Sequence, residues 1–223
     1  LSLDLEKILQ WGSANLVNFN SSKTQQCTIS TKKSQDFPSI SMGQDVLDDS
    51  SSVLILGLRF SSNLSWNDHI NSIAKRASQK LGYLYRARGF FSSKDLLMLY
   101  KAQVRPLMEY CCHIWGGAPV TSLKILEKLQ ARAIRLINDV KLTSQLQSLS
   151  HRRAVASLSL FYRYYFGACS SELAGCVPPP LMLTANRTSR LTTSSHPYTV
   201  VVPTCRTAIG KQTFFMRLWN ALP

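Results

Sequence analysis

A chain of 223 residues, 45% of them hydrophobic, can bury one large core or two small ones and is too apolar to be a disordered tail. Its formal charge of +14 is uneven, with four basic and six acidic side chains in residues 1–50 and 22 against six in residues 51–223. The later part therefore points to a polyanionic partner. No charged n-region precedes an apolar h-region, so no secretory signal is expected, and a chain beginning at Leu1 is expected to be a piece of a longer protein.

In chain order, Leu3, Leu5, Ile8 and Leu9 before Trp11 suit a short amphipathic helix. Leu16–Phe19 and Cys27–Ser30 then read as strands, Phe37–Val46 as another, and Val53–Phe60 as an apolar strand after the acidic, Ser-rich loop 48–52. The period changes at Ser65, a candidate N-cap, because Ile70, Ile73, Ala74, Ala77, Leu81 and Leu84 follow at helical spacing. A second helix starts after Ser92 or Ser93 and is bent or ended by Arg105-Pro106. A third runs from about Thr121 to Asn138, and two more are expected at 146–157 and 158–173, before Pro178-Pro179-Pro180. Residues 184–206, rich in Thr, Ser and Arg, read as an extended connector. Phe214–Trp219 reads as a last helix that packs back on the body. No internal repeat is present. The fold class expected is α+β, predominantly helical, with a partial sheet first and a helical body after it.

The third helix carries the clearest binding argument. At about 100° per residue, Leu126, Leu129, Ala133, Leu136 and Ile137 share one face, and Lys124, Lys128, Arg132 and Arg135 line the other. Only Glu127 lies near enough in sequence to pair with them. Four cations on one face repel one another, an arrangement suited to solubility or to a phosphate backbone, and the net charge favours the second. Lys75, Arg76 and Arg86 lie off the apolar stripe of the first long helix and extend the basic surface, with Arg152 and Arg153 as further candidates. Tyr83 and Tyr85 are expected in the core rather than under a base. Gln130 falls on the apolar side of its helix and, if buried, needs a hydrogen-bond partner.

Other segments carry weaker signals. Cys111-Cys112-His113 is a poor metal site, since adjacent cysteines do not readily share one zinc and no second ligand pair follows. His196 and Cys205 lack a matching pair, and Gly210-Lys211-Gln212-Thr213 lacks the first glycine of a phosphate loop. Asp48-Asp49 sits in a polar Ser-rich loop and reads as a solvated turn. Six cysteines without a CxxC pair read as reduced thiols of an intracellular protein, nuclear or cytoplasmic. Arg163 interrupts the aromatic run around Phe161 and Tyr165, so no membrane span is expected.

The stretch Leu99–Asn138, with Arg105-Pro106, Glu109-Tyr110, Trp115 and then the Gln130, Arg132, Arg135 helix, resembles the region after the catalytic palm in reverse transcriptases of non-LTR (LINE-type, jockey-like) retrotransposons. Trp11 with Asn20-x-x-Lys23-Thr24, then Leu56-Gly57-Leu58, Leu64-Ser65-Trp66 and His69-Ile70, and finally Trp219-Asn220-x-Leu222-Pro223, follow in that family's order. No apolar-flanked Tyr/Phe-x-Asp-Asp box occurs in the chain. The resemblance implies that residues 1–60 are the end of the palm with its primer-grip strand, 61–140 a helical thumb, and 141–223 a C-terminal region. It implies an RNA template, a DNA primer or their duplex as partners, and an N-terminal polymerase portion as another. Mg2+ would serve the intact parent enzyme while this chain binds no cofactor and supplies no catalytic residue. Lys23 is then a possible triphosphate contact and Gly57 a possible primer contact, although Lys23 reads equally as a solvated turn lysine and Gly57 as a bulge.

Three other readings stay open on the sequence alone: a non-catalytic RNA- or DNA-binding protein derived from such an element, a decayed element remnant, and a membrane-surface protein using basic amphipathic helices. Coding sequence upstream of Leu1 separates the first two from the polymerase reading, and vesicle sedimentation tests the third.

Overall fold

The computed structural model describes residues 1–30, 39–175 and 204–219, and its chain divides into two compact units, Leu1–His69 and Ile70–Pro223. In the first unit, helix α1 (Ser2–Ala14) precedes a 3-10 turn at Ser21–Lys23 and two antiparallel hairpins. The first hairpin joins β1 (Ile40–Met42) to β2 (Asp45–Leu47), and the second joins β3 (Ser52–Ile55) to β4 (Leu58–Ser61). Their registers pair Met42 with Asp45 and Ile55 with Leu58 across the turns.

Four strand expectations are corrected here. Leu16–Phe19 forms no strand, because Leu16 adopts a left-handed backbone (φ 58) and Val17 N–H closes back on Gly12 C=O at 2.8 Å. Around Cys27–Ser30 the chain makes only an isolated bridge, between Gln26 and Asp49. The described part of Phe37–Val46 is the first hairpin, broken at Gly43 (φ 66). Val53–Phe60 is likewise a hairpin rather than one strand. Leu56 (φ 49) and Gly57 (φ 83) form a two-residue turn with both central φ angles positive, the geometry that matches the twist of paired strands. An uninterrupted apolar run concealed it.

The second unit is helical. The bulk of α2 (Asn67–Ala87) presents Ile70, Ile73, Ala74, Ala77 and Leu81 as a buried stripe. Upstream, the Ser65 hydroxyl accepts the Asn67 N–H at 3.3 Å, a capping bond. Helix α3 (Ser93–Leu99) begins with a capping box between Ser92 and Asp95, passes through a π-helical turn at Tyr100–Val104 and continues as α4 (Arg105–Glu109). The wide turn lies where Pro106 removes one backbone donor, so the proline sits at the start of α4 instead of breaking an α-helical ladder. After the left-handed Cys111 (φ 50), α5 (Cys112–Trp115) buries Trp115, whose indole N–H donates to Tyr110 C=O at 2.9 Å.

Helix α6 (Val120–Ile137) ends at Asn138, whose left-handed conformation (φ 53) suits a helix stop. The short α7 (Val140–Thr143) is capped by Asp139. Next comes α8 (Leu149–Tyr165), one continuous helix across the break expected at 157/158; the second expected segment, 158–173, resolves into its end and α9 (Ser171–Gly175). Ser148 caps α8 by accepting the His151 N–H at 3.1 Å, which fixes its start three residues later than the sequence suggests. Helix α8 packs against α4, α5 and α6. The short α10 (Ala208–Lys211) leads to α11 (Phe214–Trp219), which packs on α8 as expected. Phe214 meets the edges of His113 and Tyr164, with ring centroids 5.8 and 6.2 Å away. Most of the expected 184–206 connector, with the Pro178–Pro180 stop, His196 and residues 220–223, lies outside the described residues. The architecture is thus α+β and mainly helical. No helix among the described residues is long and apolar enough to cross a membrane.

Candidate nucleic-acid interface

Helix α6 is split as its sequence demands. Leu126, Leu129, Gln130, Ala133 and Ile137 are buried, while Lys124, Lys128, Arg132 and Arg135 are exposed. From Lys124 to Arg135 the helix rises about 16 Å, the reach of about five phosphates along one nucleic-acid strand. None of the four makes an ion pair among the described residues. The one carboxylate expected to pair with them, Glu127, is engaged elsewhere: its Oε1 lies 3.0 Å from Arg153 Nη2 and its Oε2 accepts the Leu149 N–H at 3.3 Å. The stripe therefore keeps its full charge, with Coulomb repulsion softened only by solvent.

Arg132 ties this stripe to α2, donating from Nη1 to the Ser78 hydroxyl at 3.2 Å. Ser78 lines an open groove along α2 with Lys75, Gln79, Gly82, Tyr83 and Arg86. Lys75, Arg76 and Arg86 are all exposed. Tyr83 and Tyr85, expected in the core, are 59% and 56% exposed. Tyr83 lies off the Ile70–Leu81 stripe and Tyr85 falls one turn beyond its last buried residue, and a guanidinium group covers each: Arg86 at 4.9 Å from the Tyr83 ring centre and Arg88 at 4.0 Å from that of Tyr85. Lys75, Arg86 and the Tyr83 ring thus share one face of α2, the pairing of cation and aromatic that suits backbone and base together.

The two other basic candidates are not open surface. Arg152 makes two bonds to Glu109, through Nε and, at 3.0 Å, through Nη2, and Arg105 approaches the same carboxylate at 3.8 Å. That pairing holds the Arg152 guanidinium more firmly charged. Arg153 occupies the buried face of α8, in step with Leu149, Ser157 and Phe161. Spacing of four residues could have revealed Arg153 as an inward residue, whereas its partner lies 26 positions away. Gln130 meets its expected need for partners: it accepts from the Tyr100 hydroxyl at 2.9 Å and donates to Gln147 C=O at 3.0 Å. Burial pushes the Tyr100 phenol up, so it stays a donor.

Lys23 is exposed at the end of its 3-10 turn, which Asn20 holds by accepting the Ser22 N–H at 2.9 Å. Gly57 lies in the hairpin turn rather than at a bulge. A two-metal polymerase centre needs converging carboxylates, and the described residues do not fit one. Asp49 Oδ1 accepts the Thr28 N–H and hydroxyl at 2.9 and 3.1 Å, Asp45 takes the Ser21 hydroxyl, and no group of three His, Cys, Asp or Glu that could hold a metal occurs among the described residues. Cys111 and Cys112 are free thiols, and burial pushes that of Cys112 up.

A mainly helical chain with an unpaired basic helix face is a common form among nucleic-acid-binding proteins. No family profile and no solved structure matches the chain. Among curated proteins it is 26% identical over 137 residues to the RNA-directed DNA polymerase from mobile element jockey of Drosophila funebris, covering 60% of this chain and 15% of that protein. It is 24% identical over 131 residues to the probable RNA-directed DNA polymerase from transposon X-element of Drosophila melanogaster, covering 57% of this chain and 14% of that protein. The chain is therefore similar to the RNA-directed DNA polymerases of the jockey and X-element mobile elements, and its match spans a small part of their length.

Proposed function

We propose that this chain is a C-terminal portion of a non-LTR reverse transcriptase, in which residues 1–60 end the palm, 61–140 form the thumb, and 141–223 follow as a C-terminal region. Its task there is to hold the RNA template and DNA primer as a duplex, with the metal chemistry supplied by the preceding portion of the enzyme. The observation that carries this reading is the α6 stripe, whose four cations are exposed and unpaired while Glu127 is bonded to Arg153. The relatives support it by being polymerases that act on RNA. In this reading Lys75, Arg76 and the Arg132–Ser78 junction continue the track along α2. Lys23 then faces the triphosphate and the Leu56–Gly57 turn faces the primer strand.

The test is the salt dependence of binding to an RNA–DNA duplex. Each phosphate neutralised contributes a slope of about −0.9 to log affinity against log salt. Replacing Lys124, Lys128, Arg132 and Arg135 with Gln should flatten that slope by about three and a half units and leave helix content unchanged. An unchanged slope and affinity in the folded variant would overturn the reading and leave the stripe a solvated face.

A further inference from the structure

The second unit contains a cavity of about 220 Å³ among α5, α6, α8 and α11, lined by Cys112, Gly116, Ser150, Arg153, Ser157 and Arg217 with two apolar neighbours. Two guanidinium groups enter it from different helices. Each is tethered by one nitrogen: Arg153 Nη2 to Glu127 at 3.0 Å, and Arg217 Nη2 to His113 C=O at 3.1 Å. The Nη1 atom of each is buried without a hydrogen-bond partner among the described residues, and the Arg153 side chain is only 8% exposed. A buried donor left unmade forfeits its hydration without return, most of all when charged, so two in one cavity call for an acceptor.

Among its described residues the second unit has no side-chain carboxylate to offer. Residues 70–223 contain five acidic side chains, Asp95, Glu109, Glu127, Asp139 and Glu172. Asp95 is bonded to Ser92, Glu109 to Arg152, Glu127 to Arg153 and Leu149, and Asp139 caps α7. Glu172 has its own partners, Ser170 and Ser171 among them. The segments 176–203 and 220–223 contain no Asp or Glu. Burial and the nearby Arg153 both push the Arg217 guanidinium down, the sign of a cation without a counter-charge. The cavity also falls below the roughly 300–1,000 Å³ of ordinary small-molecule pockets, which favours a small ligand. Gly116 makes room for the arrangement, since a Cβ there would come within 2.9 Å of Arg217 Nη1.

We propose that this cavity is a binding site for a single phosphate group, held by the Nη1 donors of Arg153 and Arg217 with the Ser150 and Ser157 hydroxyls lining it. Two guanidinium donors around one tetrahedral oxyanion make charge-assisted bonds that neither Nη1 atom obtains among the described residues. The inference is independent of the α6 stripe, which lies on exposed surface.

The experiment is thermal unfolding of the full chain in inorganic phosphate against chloride at equal ionic strength. A saturable rise in Tm with phosphate is expected, following the mass-action form for a ligand that binds only the folded state. Arg217→Gln should abolish the rise. Ala154→Glu, which places an internal carboxylate at the mouth of the cavity, should raise Tm in chloride and also abolish the phosphate increment, a test that does not depend on a weakened fold. The variant with the four α6 cations replaced by Gln should keep the increment. No phosphate-specific rise, a rise equal in the two cavity variants, or its loss in the α6 variant would overturn the proposal. A 5′-phosphorylated oligonucleotide that removes the increment where its 5′-hydroxyl counterpart does not would assign the phosphate to a nucleic-acid end. Removal by neither would assign it to the free anion, and equal removal by both would overturn the site in favour of the general basic surface.

Discussion

Residues 1–69 and residues 70–223 differ in how far each closes its own core. Among the described residues of the first unit only Met42 and Leu58 are buried among the large apolar side chains, while Trp11 is 58% and Leu16 95% exposed. In the second, Trp115, Tyr100, Ile70, Met108 and Leu126 each keep no more than 1% of their surface. Charge follows the same division: seven acidic against five basic residues before Ile70, and five against 21 from there on. Small antiparallel hairpins bury little on their own, since stable sheets need a third strand or a helix across one face. Long amphipathic helices close a core among themselves. One region thus supplies its own stability and carries the positive surface. The other leaves apolar side chains at its surface, Leu54, Ile55 and Leu56 at the hairpin tip among them.

The largest effect that separates the two regions is a pair of tryptophan truncations. Trp115→Ala removes a fully buried ring and its hydrogen bond to Tyr110, and should cost about 3–5 kcal/mol. Trp11→Ala, on the exposed face of α1, should stay within about 0.5 kcal/mol. Denaturant unfolding followed by circular dichroism measures both. Comparable losses in the two variants would mean that the first unit depends on Trp11 as the second does on Trp115, and the contrast would fail.

A smaller effect tests whether the helical core is specified by polar as well as apolar contacts. Tyr100→Phe leaves Gln130 Oε1 buried with one partner fewer, and should destabilise by about 1–3 kcal/mol with little change in helix content. A double variant, Tyr100→Phe with Gln130→Leu, sharpens the measurement, because it removes both ends of that bond while freeing only Gln147 C=O. Coupling between the two substitutions is expected, since they share one network. Simple additivity would show that the bond contributes nothing.

Which features were legible in the sequence follows from how local their causes are. The apolar and basic faces of α6, the Ser92 cap and the partner requirement of Gln130 depend on residues within one or two turns, and each reads from spacing. The hairpin at 52–61 did not, because Val53 to Phe60 keeps a strand-like apolar character through a turn with neither Asn nor Asp before its glycine. Nor did the ion pair of Arg153, which closes a gap of 26 residues even though four-residue spacing shows the side chain to be inward, or the bond of Arg217, whose acceptor at His113 lies 104 positions back. The candidate stripe was visible in full; the removal of Glu127 from it required a tertiary contact. The phosphate cavity has no sequence signature, since it joins residues of four helices that are distant in sequence.

The smallest expected effect lies at the hairpin tip and tests the first unit by improving it. Leu56 holds a left-handed φ of 49 that leucine disfavours, with 85% of its surface exposed, and Gly57 follows at φ 83. Asparagine tolerates that conformation, and Asn-Gly is the preferred pair for a two-residue turn of this kind. Leu56→Asn should therefore stabilise the hairpin by up to about 1 kcal/mol, whereas Gly57→Ala should lose about that amount. Amide exchange across β3 and β4 reads the change directly, with slower exchange expected at the paired residues Val53 and Phe60. If Leu56→Asn instead speeds exchange there, the exposed leucine stabilises its own unit through contacts, and the apolar tip belongs to that unit's core. If exchange slows while duplex binding by the intact chain weakens, the strained leucine is kept for a contact beyond the hairpin, as the primer-facing reading of this turn requires.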